Sequence, residues 1–293
     1  DMEGNIRPNP AGSNPDMGAY ENALGIPLHG GPVYYVSTTG DDTGTGSAVY
    51  PFATIQKGID TASDGDTVLV AAGTYVENIT WPATNGIKLI GSGVNDCFID
   101  GNQLASVIRF EEAGIIDSTT LITGFTLQNG YAQDDYPYNR GGGMYFFASS
   151  PTLTDVAFSG NNASAGGGGV LLYNSNPILI DVTFSGNTGQ SGGGMSLIYS
   201  NPTLIDVTFS GNTVSNKGGG MFLFNTSNPN LTGVTFSGNS AGIDGGGMSL
   251  SNSSPTLTGV TFSDNTADDS GGGMSLRESS NPILTDVTFS GNT

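Results

Sequence analysis

The fold is decided by the segment Gly192-Gly-Gly-Met-Ser-Leu-Ile-Tyr-Ser-Asn-Pro-Thr-Leu-Ile-Asp-Val-Thr-Phe-Ser-Gly-Asn-Thr213, which recurs with small changes between residues 141 and 293. Six phenylalanines mark the copies at intervals of 25–27 residues. They are Phe158, Phe184, Phe209, Phe236, Phe262 and Phe289. A fixed period of this size is typical of a solenoid, in which each repeat buries its apolar face only against its neighbours.

Two positions of the repeat predict bends, because they accept only Asp or Gly. The first is occupied by Asp155, Asp181, Asp206, Gly233, Gly259 and Asp286. The second is occupied by Gly160, Gly186, Gly211, Gly238, Asp264 and Gly291. Asp and Gly are the residues that best tolerate a left-handed backbone. A ladder of carboxylates for cations is the alternative at the first position, but its two glycines would interrupt such a ladder.

A third position is asparagine in every copy: Asn161, Asn187, Asn212, Asn239, Asn265 and Asn292. Identical amide side chains that stack in neighbouring strands bond to one another along the stacking axis. We therefore expect a structural asparagine ladder at this position.

The phrase Val-Thr-Phe-Ser alternates, so Val and Phe are predicted to point inward and Thr and Ser outward. The residues after the glycine runs are also predicted to face the core. They are Met144, Val170, Met195, Met221, Met248 and Met274. Each coil is thus predicted to contain three short strands: Gly-Met-Ser-Leu, Pro-Thr-Leu-Thr and Val-Thr-Phe-Ser.

Composition excludes several classes of partner. The net charge is −19 and only seven residues are basic, which argues against binding nucleic acid or an anionic membrane surface. No apolar run is long enough for a membrane helix, so membrane insertion by this segment is not expected. Cys97 is the single cysteine. The acidic, Thr- and Asn-rich composition favours an extracellular or cell-surface location.

The chain divides into two predicted parts. Residues 1–32 are rich in proline and read as a linker or as the closing tail of a preceding unit. Residues 33–293 are predicted to form the solenoid, with a cap at 33–65, irregular coils at 66–140 and regular repeats at 141–293. In the cap, apolar residues with helical spacing follow Pro51 and predict a short helix.

Four phrases carry a resemblance to a known family: Tyr35-Val-Ser, Pro51-Phe-Ala-Thr-Ile, Gly65-Asp-Thr-Val and Gly73-Thr-Tyr. Together they resemble the opening of secreted right-handed parallel β-helix proteins of the pectate-lyase-like superfamily. The resemblance implies an all-β, right-handed parallel β-helix with three-strand coils. It also implies that the short helix caps the N-terminal end.

Two further resemblances concern surface proteins. Asp16-Met-Gly-Ala-Tyr-Glu21 resembles the closing phrase of bacterial proteins with a choice-of-anchor tail. The pairing of Gly-Gly-Gly-Met with Phe-Ser-Gly-Asn resembles the repeats of polymorphic outer-membrane proteins. That family implies an adhesive role at the cell surface.

A polysaccharide lyase on this fold needs a basic residue to abstract a proton and acidic ligands for Ca²⁺. The candidate catalytic residues are Arg140, Asp134 and Asp135 in the insertion 131–140, with Arg109, Glu111 and Glu112 expected nearby. The alternative interpretation of this cluster is a solvated surface loop.

Histidine and metal chemistry have few candidates. His29 is the only histidine and falls in the predicted linker, which excludes a His-based triad. Asp41 and Asp42, in a Gly/Thr-rich loop, are the candidate metal ligands, and calcium is the one cofactor considered.

The outward hydroxyl residues predict two parallel rows on one flat face, and these are the candidate binding residues. They are Thr183, Ser185, Thr208, Ser210, Thr235, Ser237, Thr261 and Ser263. Ice-binding β-helices present Thr-x-Thr arrays that resemble these rows. The alternative interpretation is an ordinary solvated strand face.

We therefore expect an extracellular structural or adhesive module without catalysis, part of a larger surface protein or filament. Its expected partners are other copies or further coils of the same protein, and surface glycans. A polysaccharide lyase is the alternative function, and ice or glycan binding through the Thr/Ser face is the third. The last repeat stops at Phe289-Ser-Gly-Asn-Thr293 without a polar cap, so this end is predicted to be covered.

Overall fold

The structure, a computed structural model, describes residues 33–111, 116–133 and 135–293. In this part of the chain one helix and thirty strands, numbered along the sequence, form a parallel β-helix with three sheets. The predicted all-β fold class with one short helix is confirmed. The predicted linker, residues 1–32, lies outside the described residues.

Sheet A is the largest sheet and has sixteen strands in the described residues. They are β1 (Val33–Val36), β2 (Thr67–Val70), β3 (Gly73–Val76), β5 (Lys88–Ile90), β6 (Cys97–Asp100), β8 (Leu121–Gln128), β11 (Thr152–Ser159), β14 (Ile178–Ser185), β17 (Thr203–Ile205), β18 (Thr208–Ser210), β21 (Asn230–Thr232), β22 (Thr235–Ser237), β25 (Thr256–Thr258), β26 (Thr261–Ser263), β29 (Ile283–Thr285) and β30 (Thr288–Ser290).

Sheets B and C close the coil, with eight and six strands in the same part of the chain. Sheet B contains β4 (Ile79–Thr80), β7 (Ile108–Phe110), β10 (Met144–Phe147), β13 (Val170–Tyr173), β16 (Met195–Ile198), β20 (Met221–Phe224), β24 (Met248–Ser251) and β28 (Met274–Arg277). Sheet C contains β9 (Tyr131–Ala132), β12 (Asn162–Gly166), β15 (Thr188–Ser191), β19 (Thr213–Lys217), β23 (Ser240–Ala241) and β27 (Thr266–Ala267).

The strand assignment within a coil differs from the prediction in one respect. Pro-Thr-Leu-Thr and Val-Thr-Phe-Ser lie in the same sheet A, and in β11 and β14 they form one continuous strand of eight residues. The third sheet comes instead from the residues that follow each asparagine. These strands are hard to predict from the sequence, because several of their inward residues are small, such as Ala163, Gly189 and Ala241, and show no strong apolar alternation.

Both predicted bends are confirmed. At the first position, Asp155, Asp181, Asp206 and Asp286 have φ angles between 49° and 53°, in the left-handed region. At the second position the one aspartate, Asp264, has a φ of 54°. The Asp/Gly choice at these positions is therefore explained by backbone conformation.

The asparagine ladder is also confirmed. Each Nδ2 donates to the Oδ1 of the asparagine one coil further on, at 2.8–3.1 Å. The same Oδ1 accepts the backbone N–H of the preceding asparagine at 3.0–3.1 Å. Five of the six side chains are fully buried, so these bonds satisfy amides that water does not reach.

A second ladder runs parallel to the first, and sequence analysis missed it. Its members are Ser149, Ser175, Ser200, Ser227, Ser253 and Ser280. The Oγ of each serine accepts the backbone N–H of the serine one coil before, at 3.0–3.2 Å. The two ladders fix the ends of the sheet A segment in every regular coil.

The core consists of stacked identical side chains. From Phe158 to Phe289, consecutive phenylalanine rings have centroids 4.7–4.8 Å apart and planes within 5° of parallel. This spacing is the distance between neighbouring strands. The methionine row is inward as predicted, and Met144, Met195, Met221 and Met248 are fully buried.

The predicted helix is α1 (Ile55–Thr61), which packs against β1, β2 and β4. Its first-turn N–H groups are satisfied by side chains. Thr54 is the N-cap, and the carboxylates of Asp42 and Glu77 each accept two backbone N–H groups around the helix start. At Gly58 a Cβ would lie 2.8 Å from Val68 Cγ1, so the helix approaches sheet A too closely for a side chain.

Candidate functional site

The outer face of sheet B carries a group of aromatic side chains. Alternation along β10 turns Met144 and Phe146 into the core and Tyr145 and Phe147 outward. The same two outward positions are aromatic or aliphatic in β13 and β20, while β16 has Ser196 and Ile198 there and is followed directly by Tyr199. We define the aromatic face as Tyr145, Phe147, Tyr173, Tyr199, Phe222 and Phe224. In the next two coils the equivalent positions are Ser249, Ser251, Ser275 and Arg277.

Three rings of the aromatic face contact one another along the β-helix axis. Phe147 stacks on Tyr173 with 5.6 Å between centroids, and Tyr173 meets Tyr199 edge to face at 6.1 Å. Phe222 and Phe224 lie 5.9 Å apart on one strand. Tyr199 is 49% exposed. Because strands stack about 4.8 Å apart, the four strands β10, β13, β16 and β20 spread these rings over about 14 Å.

An arginine–tyrosine cluster, defined as Arg109, Arg140, Tyr136, Tyr138 and Tyr145, adjoins one end of the aromatic face. Arg109 on β7 is paired in register with Tyr145 on β10. Its guanidinium carbon lies 4.2 Å from the Tyr145 ring centroid and 4.8 Å from the Tyr138 centroid. Burial raises the pKa of the Tyr145 hydroxyl, so this phenol is neutral at physiological pH.

Arg109 is almost fully buried, with 7% exposure. Its Nε lies 2.6 Å from Oε1 of Glu111, and its Nη1 donates to Ser106 Oγ at 3.0 Å. Nη1 also donates to the carbonyl oxygen of Arg140 at 3.4 Å. The third nitrogen, Nη2, is buried and has no hydrogen-bond acceptor among the described residues.

The insertion brings Arg140 to this place. Its guanidinium carbon lies 5.1 Å from the ring centroid of Tyr136, and its Nε is buried with no acceptor among the described residues. Asp135 is exposed, and its carbonyl oxygen accepts the N–H of Tyr138 at 2.8 Å. Asp134 and Glu112 lie outside the described residues. The structure brings Arg109 and Glu111 together with Arg140, while a catalytic role for Arg140, Asp134 or Asp135 stays a prediction.

The candidate metal ligands have structural partners. Asp41 accepts the N–H and the hydroxyl of Thr43, and the hydrogen bonds from Thr43 lower the pKa of the Asp41 carboxyl. Asp42 accepts from the backbone of Ala53 and Thr54 at the helix start. Within residues 33–111, 116–133 and 135–293, no group of three or more His, Cys, Asp and Glu side chains is placed to hold a metal. Calcium at Asp41 and Asp42 stays a prediction.

The two hydroxyl rows have the predicted register. Thr183, Thr208, Thr235 and Thr261 pair in sequence along sheet A. The serine two residues further on pairs in the same way: Ser185, Ser210, Ser237 and Ser263. These side chains are half-buried or exposed, so the rows lie at the surface. What they bind, if they bind at all, stays a prediction.

A buried ion cluster at the other end of the molecule was missed by sequence analysis. Asp244 is fully buried and receives two hydrogen bonds from Arg277, at 2.6 and 2.7 Å. Lys217 lies 3.7 Å from the same carboxylate. The Arg277 guanidinium holds the pKa of Asp244 below its ordinary value. The two basic residues of the regular coils therefore share a structural partner. Both are far from Asp244 in sequence, so the ion pairs could not be predicted from sequence spacing.

The parallel β-helix fold agrees with the match to a known protein family. The family model described as "Right handed beta helix region" matches residues 72–247 and 206–293. The matches cover more than half of the chain, so the chain belongs to this family. The hand of the β-helix expected from the sequence is thereby confirmed.

Solved structures with a similar fold include carbohydrate-active enzymes. A rhamnogalacturonan lyase is 13% identical, with 81% of this chain and 74% of that chain covered and a TM-score of 0.43. A pectin methylesterase from carrot is 13% identical, with 85% and 89% covered and a TM-score of 0.44. A pectate lyase is 13% identical, with 87% and 78% covered and a TM-score of 0.37. At such identity the likeness concerns the fold alone.

No curated protein sequence matches the chain significantly. The described residues contain no helix of the length and apolar character needed to cross a membrane. The family model bears out the right-handed parallel β-helix that the resemblance implied. The resemblances to outer-membrane adhesins and to choice-of-anchor proteins stay predictions.

Proposed function

We propose that this chain is an extracellular, non-catalytic adhesive module that binds glycans through the aromatic face. The observation that carries the proposal is the group of partly exposed rings on the outer side of sheet B, which are those of the aromatic face other than the buried Tyr145. Stacking of the coils is maintained by the core and the two ladders, so it does not need these rings. Association with other copies or with further coils belongs to the same proposal.

Aromatic rings suit sugars for a physical reason. The faces of a sugar ring present C–H groups, which pack on the flat, apolar face of Tyr or Phe. Such side chains provide a large contact area with little loss of conformational entropy. The sheet beneath them fixes the spacing of the rings along the axis, and this favours a linear glycan that lies parallel to the β-helix axis.

Binding can be tested with the full chain and a glycan array, followed by affinity electrophoresis in gels that contain the polysaccharides that bind. The test variant combines Tyr173→Ala, Tyr199→Ala and Phe224→Ala. We expect its affinity to fall by about tenfold or more, since about 1.4 kcal/mol of lost contact energy corresponds to a factor of ten. These side chains lie outside the buried core, so the circular dichroism spectrum should be unchanged.

A matched control replaces three residues of the hydroxyl rows: Thr208→Ala, Thr235→Ala and Thr261→Ala. We expect this variant to bind as the unmodified chain does. Loss of affinity in the control alone would assign binding to sheet A. Equal loss of affinity in both variants would show that binding does not depend specifically on the aromatic face. Either result would contradict the proposal. Failure of the unmodified chain to bind any glycan would also contradict it.

The lyase alternative is tested on the same samples. Acidic polysaccharides are incubated with the chain and Ca²⁺, and ultraviolet absorbance is followed for unsaturated products. We expect no turnover. Product formation that Arg140→Ala abolishes would establish the enzyme instead, because a lyase needs a base beside the sugar.

A further inference from the structure

The arginine–tyrosine cluster contains buried hydrogen-bond donors without acceptors. Arg109 Nη2 and Arg140 Nε are both buried and unpaired among the described residues. A buried donor left without an acceptor costs about 1–3 kcal/mol, and more when the group is charged. Two such donors in neighbouring residues indicate that the cluster meets an acceptor when it functions.

We propose that this cluster is a subsite for a carboxylate or sulfate group carried by the bound glycan. This inference rests on the proposed function, because the cluster adjoins the aromatic face. Tyr145 belongs to both, since it lies over Arg109 and begins the row of rings. One sugar ring on the aromatic face would place its charged substituent toward Arg109 and Arg140.

Arg109 is held in position by its neighbours before any ligand arrives. Its guanidinium lies against the rings of Tyr138 and Tyr145, and two of its nitrogens already have partners in Glu111 and Ser106. A guanidinium that is oriented in advance loses little entropy when it forms further hydrogen bonds. Its planar fork matches the paired oxygens of a carboxylate or a sulfate.

The charges of the described residues in this cluster are balanced. Glu111 and the exposed Asp135 offset the two guanidinium groups of Arg109 and Arg140, so any attraction for an anion comes from the two unpaired N–H donors. Elsewhere the chain is strongly acidic, with a net charge of −19. An anionic glycan is therefore repelled at long range and attracted only at close contact. At physiological salt the repulsion is screened beyond about 8 Å, so the local attraction decides the affinity.

The experiment is isothermal titration calorimetry at physiological ionic strength with matched probes. The acidic probes are hexamers of glucuronate, galacturonate and guluronate, and the neutral probes are their carboxyl-reduced counterparts. We expect at least one acidic hexamer to bind about tenfold or more tighter than its neutral counterpart, the factor given by a charged hydrogen bond. Arg140→Gln and Arg109→Lys should remove this preference while affinity for the neutral hexamer is retained.

The control is Lys88→Gln, which removes the same charge from an exposed residue on sheet A. We expect it to leave the preference unchanged. Equal affinity for acidic and neutral hexamers would overturn the subsite and leave the proposed function standing. Absence of binding to every hexamer would overturn both.

Sodium sulfate alone distinguishes a group on a glycan from a free anion. We expect sulfate to compete with the acidic hexamer only at concentrations far above the dissociation constant of the hexamer. Sulfate that binds the unmodified chain as tightly as the acidic hexamer would show a site for free anions, and the inference about glycans would be wrong.

Discussion

Sheets A and B are built from the same repeat, yet they differ in what changes from coil to coil. Sheet A keeps its inward Leu, Val and Phe, and in its Val-Thr-Phe-Ser segment it keeps the outward Thr and Ser in nearly every regular coil. In the segment before it, the outward positions alternate chiefly between Thr and Ile. Sheet B keeps its inward Met and Leu, while its outward positions change from Tyr and Phe to Ser and Arg. Positions that stay the same maintain the stack, so the positions that vary are those available for a ligand.

One segment of the repeat has a constant length, and the others vary. In all six coils the ladder asparagine lies twelve positions after the ladder serine, as Asn212 does after Ser200. The differences between 25 and 27 residues fall elsewhere. One place is the segment between the asparagine and the next glycine bend, and the other is the turn after sheet B, where Thr226 is an added residue. The ladders tolerate no change in spacing, while the turns between them do.

The largest expected effect comes from breaking the asparagine ladder. In Asn212→Ala, the backbone N–H of Asn187 and the carbonyl oxygen of Phe184 lose their side-chain partner. The Nδ2 of Asn187 and the Oδ1 of Asn239 each lose one of two partners. Each buried group without a partner costs about 1–3 kcal/mol, so we expect the free energy of unfolding to fall by about 3 kcal/mol or more. Denaturant titration measures it. Asn230→Ala, at an exposed asparagine of sheet A, is the control, and a similar loss in both variants would contradict a stabilising ladder.

A smaller effect is expected at the first bend. Asp206 has a φ of 53°, and the same position holds glycine at Gly233 and Gly259. We expect Asp206→Ala to destabilise the fold by about 1 kcal/mol, because a left-handed backbone is unfavourable for alanine. Asp206→Gly should be within about 0.5 kcal/mol of the unmodified chain. Thermal and denaturant unfolding of the pair tests this order, and the reverse order would contradict it.

The ion cluster predicts a pH dependence. The pKa of Asp244 is lowered in the folded state, so its contribution is present above the ordinary aspartate pKa and is lost as pH falls through the folded value. We expect Asp244→Asn to lower stability at pH 7 by about 1 kcal/mol, a modest value because Arg277 is partly exposed to solvent. The difference between the two proteins should disappear in acid. A difference that is constant from pH 7 to pH 2 would show that the Asp244 charge is not its source.

The smallest effect is expected on the hydroxyl rows. Thr208→Ala should change the free energy of unfolding by less than about 0.5 kcal/mol, since its hydroxyl lies at the surface. Ice recrystallisation and thermal hysteresis assays on the unmodified chain complete this test. Ice-binding activity that is lost in Thr208→Ala and Thr235→Ala would assign a function to sheet A. The ligand-binding surface would then lie on sheet A rather than on sheet B.

Much of the fold could be predicted because the repeat supplies its own internal comparison. Six copies showed that Asp and Gly exchange at one position and that Asn never changes at another, and both patterns have a direct physical meaning. The serine ladder was equally regular, but serine is common in every turn of this chain. Sheet C was missed because several of its inward residues are small and its outward residues differ between coils.

The candidate site was harder to predict for the opposite reason. Tyr145, Tyr173 and Phe222 occupy positions where other coils have serine, so the repeat gave no rule for them. Their alignment depends on the register between coils, which pairs Phe147 with Tyr173 and places Arg109 beside Tyr145. The insertion of residues 131–140 could be placed near Arg109 from the sequence, but contacts between its side chains follow from its folded path.

The twelve-residue spacing between the ladders has a genetic consequence. Any coil that keeps the spacing offers the same donors and acceptors to both neighbours, so one coil can replace another. Unequal recombination between the repeats would add or delete a whole coil and leave no buried amide without a partner. Such an event on the C-terminal side of β20 would change the length of the rod and leave the aromatic face intact, so that reach and recognition can evolve separately.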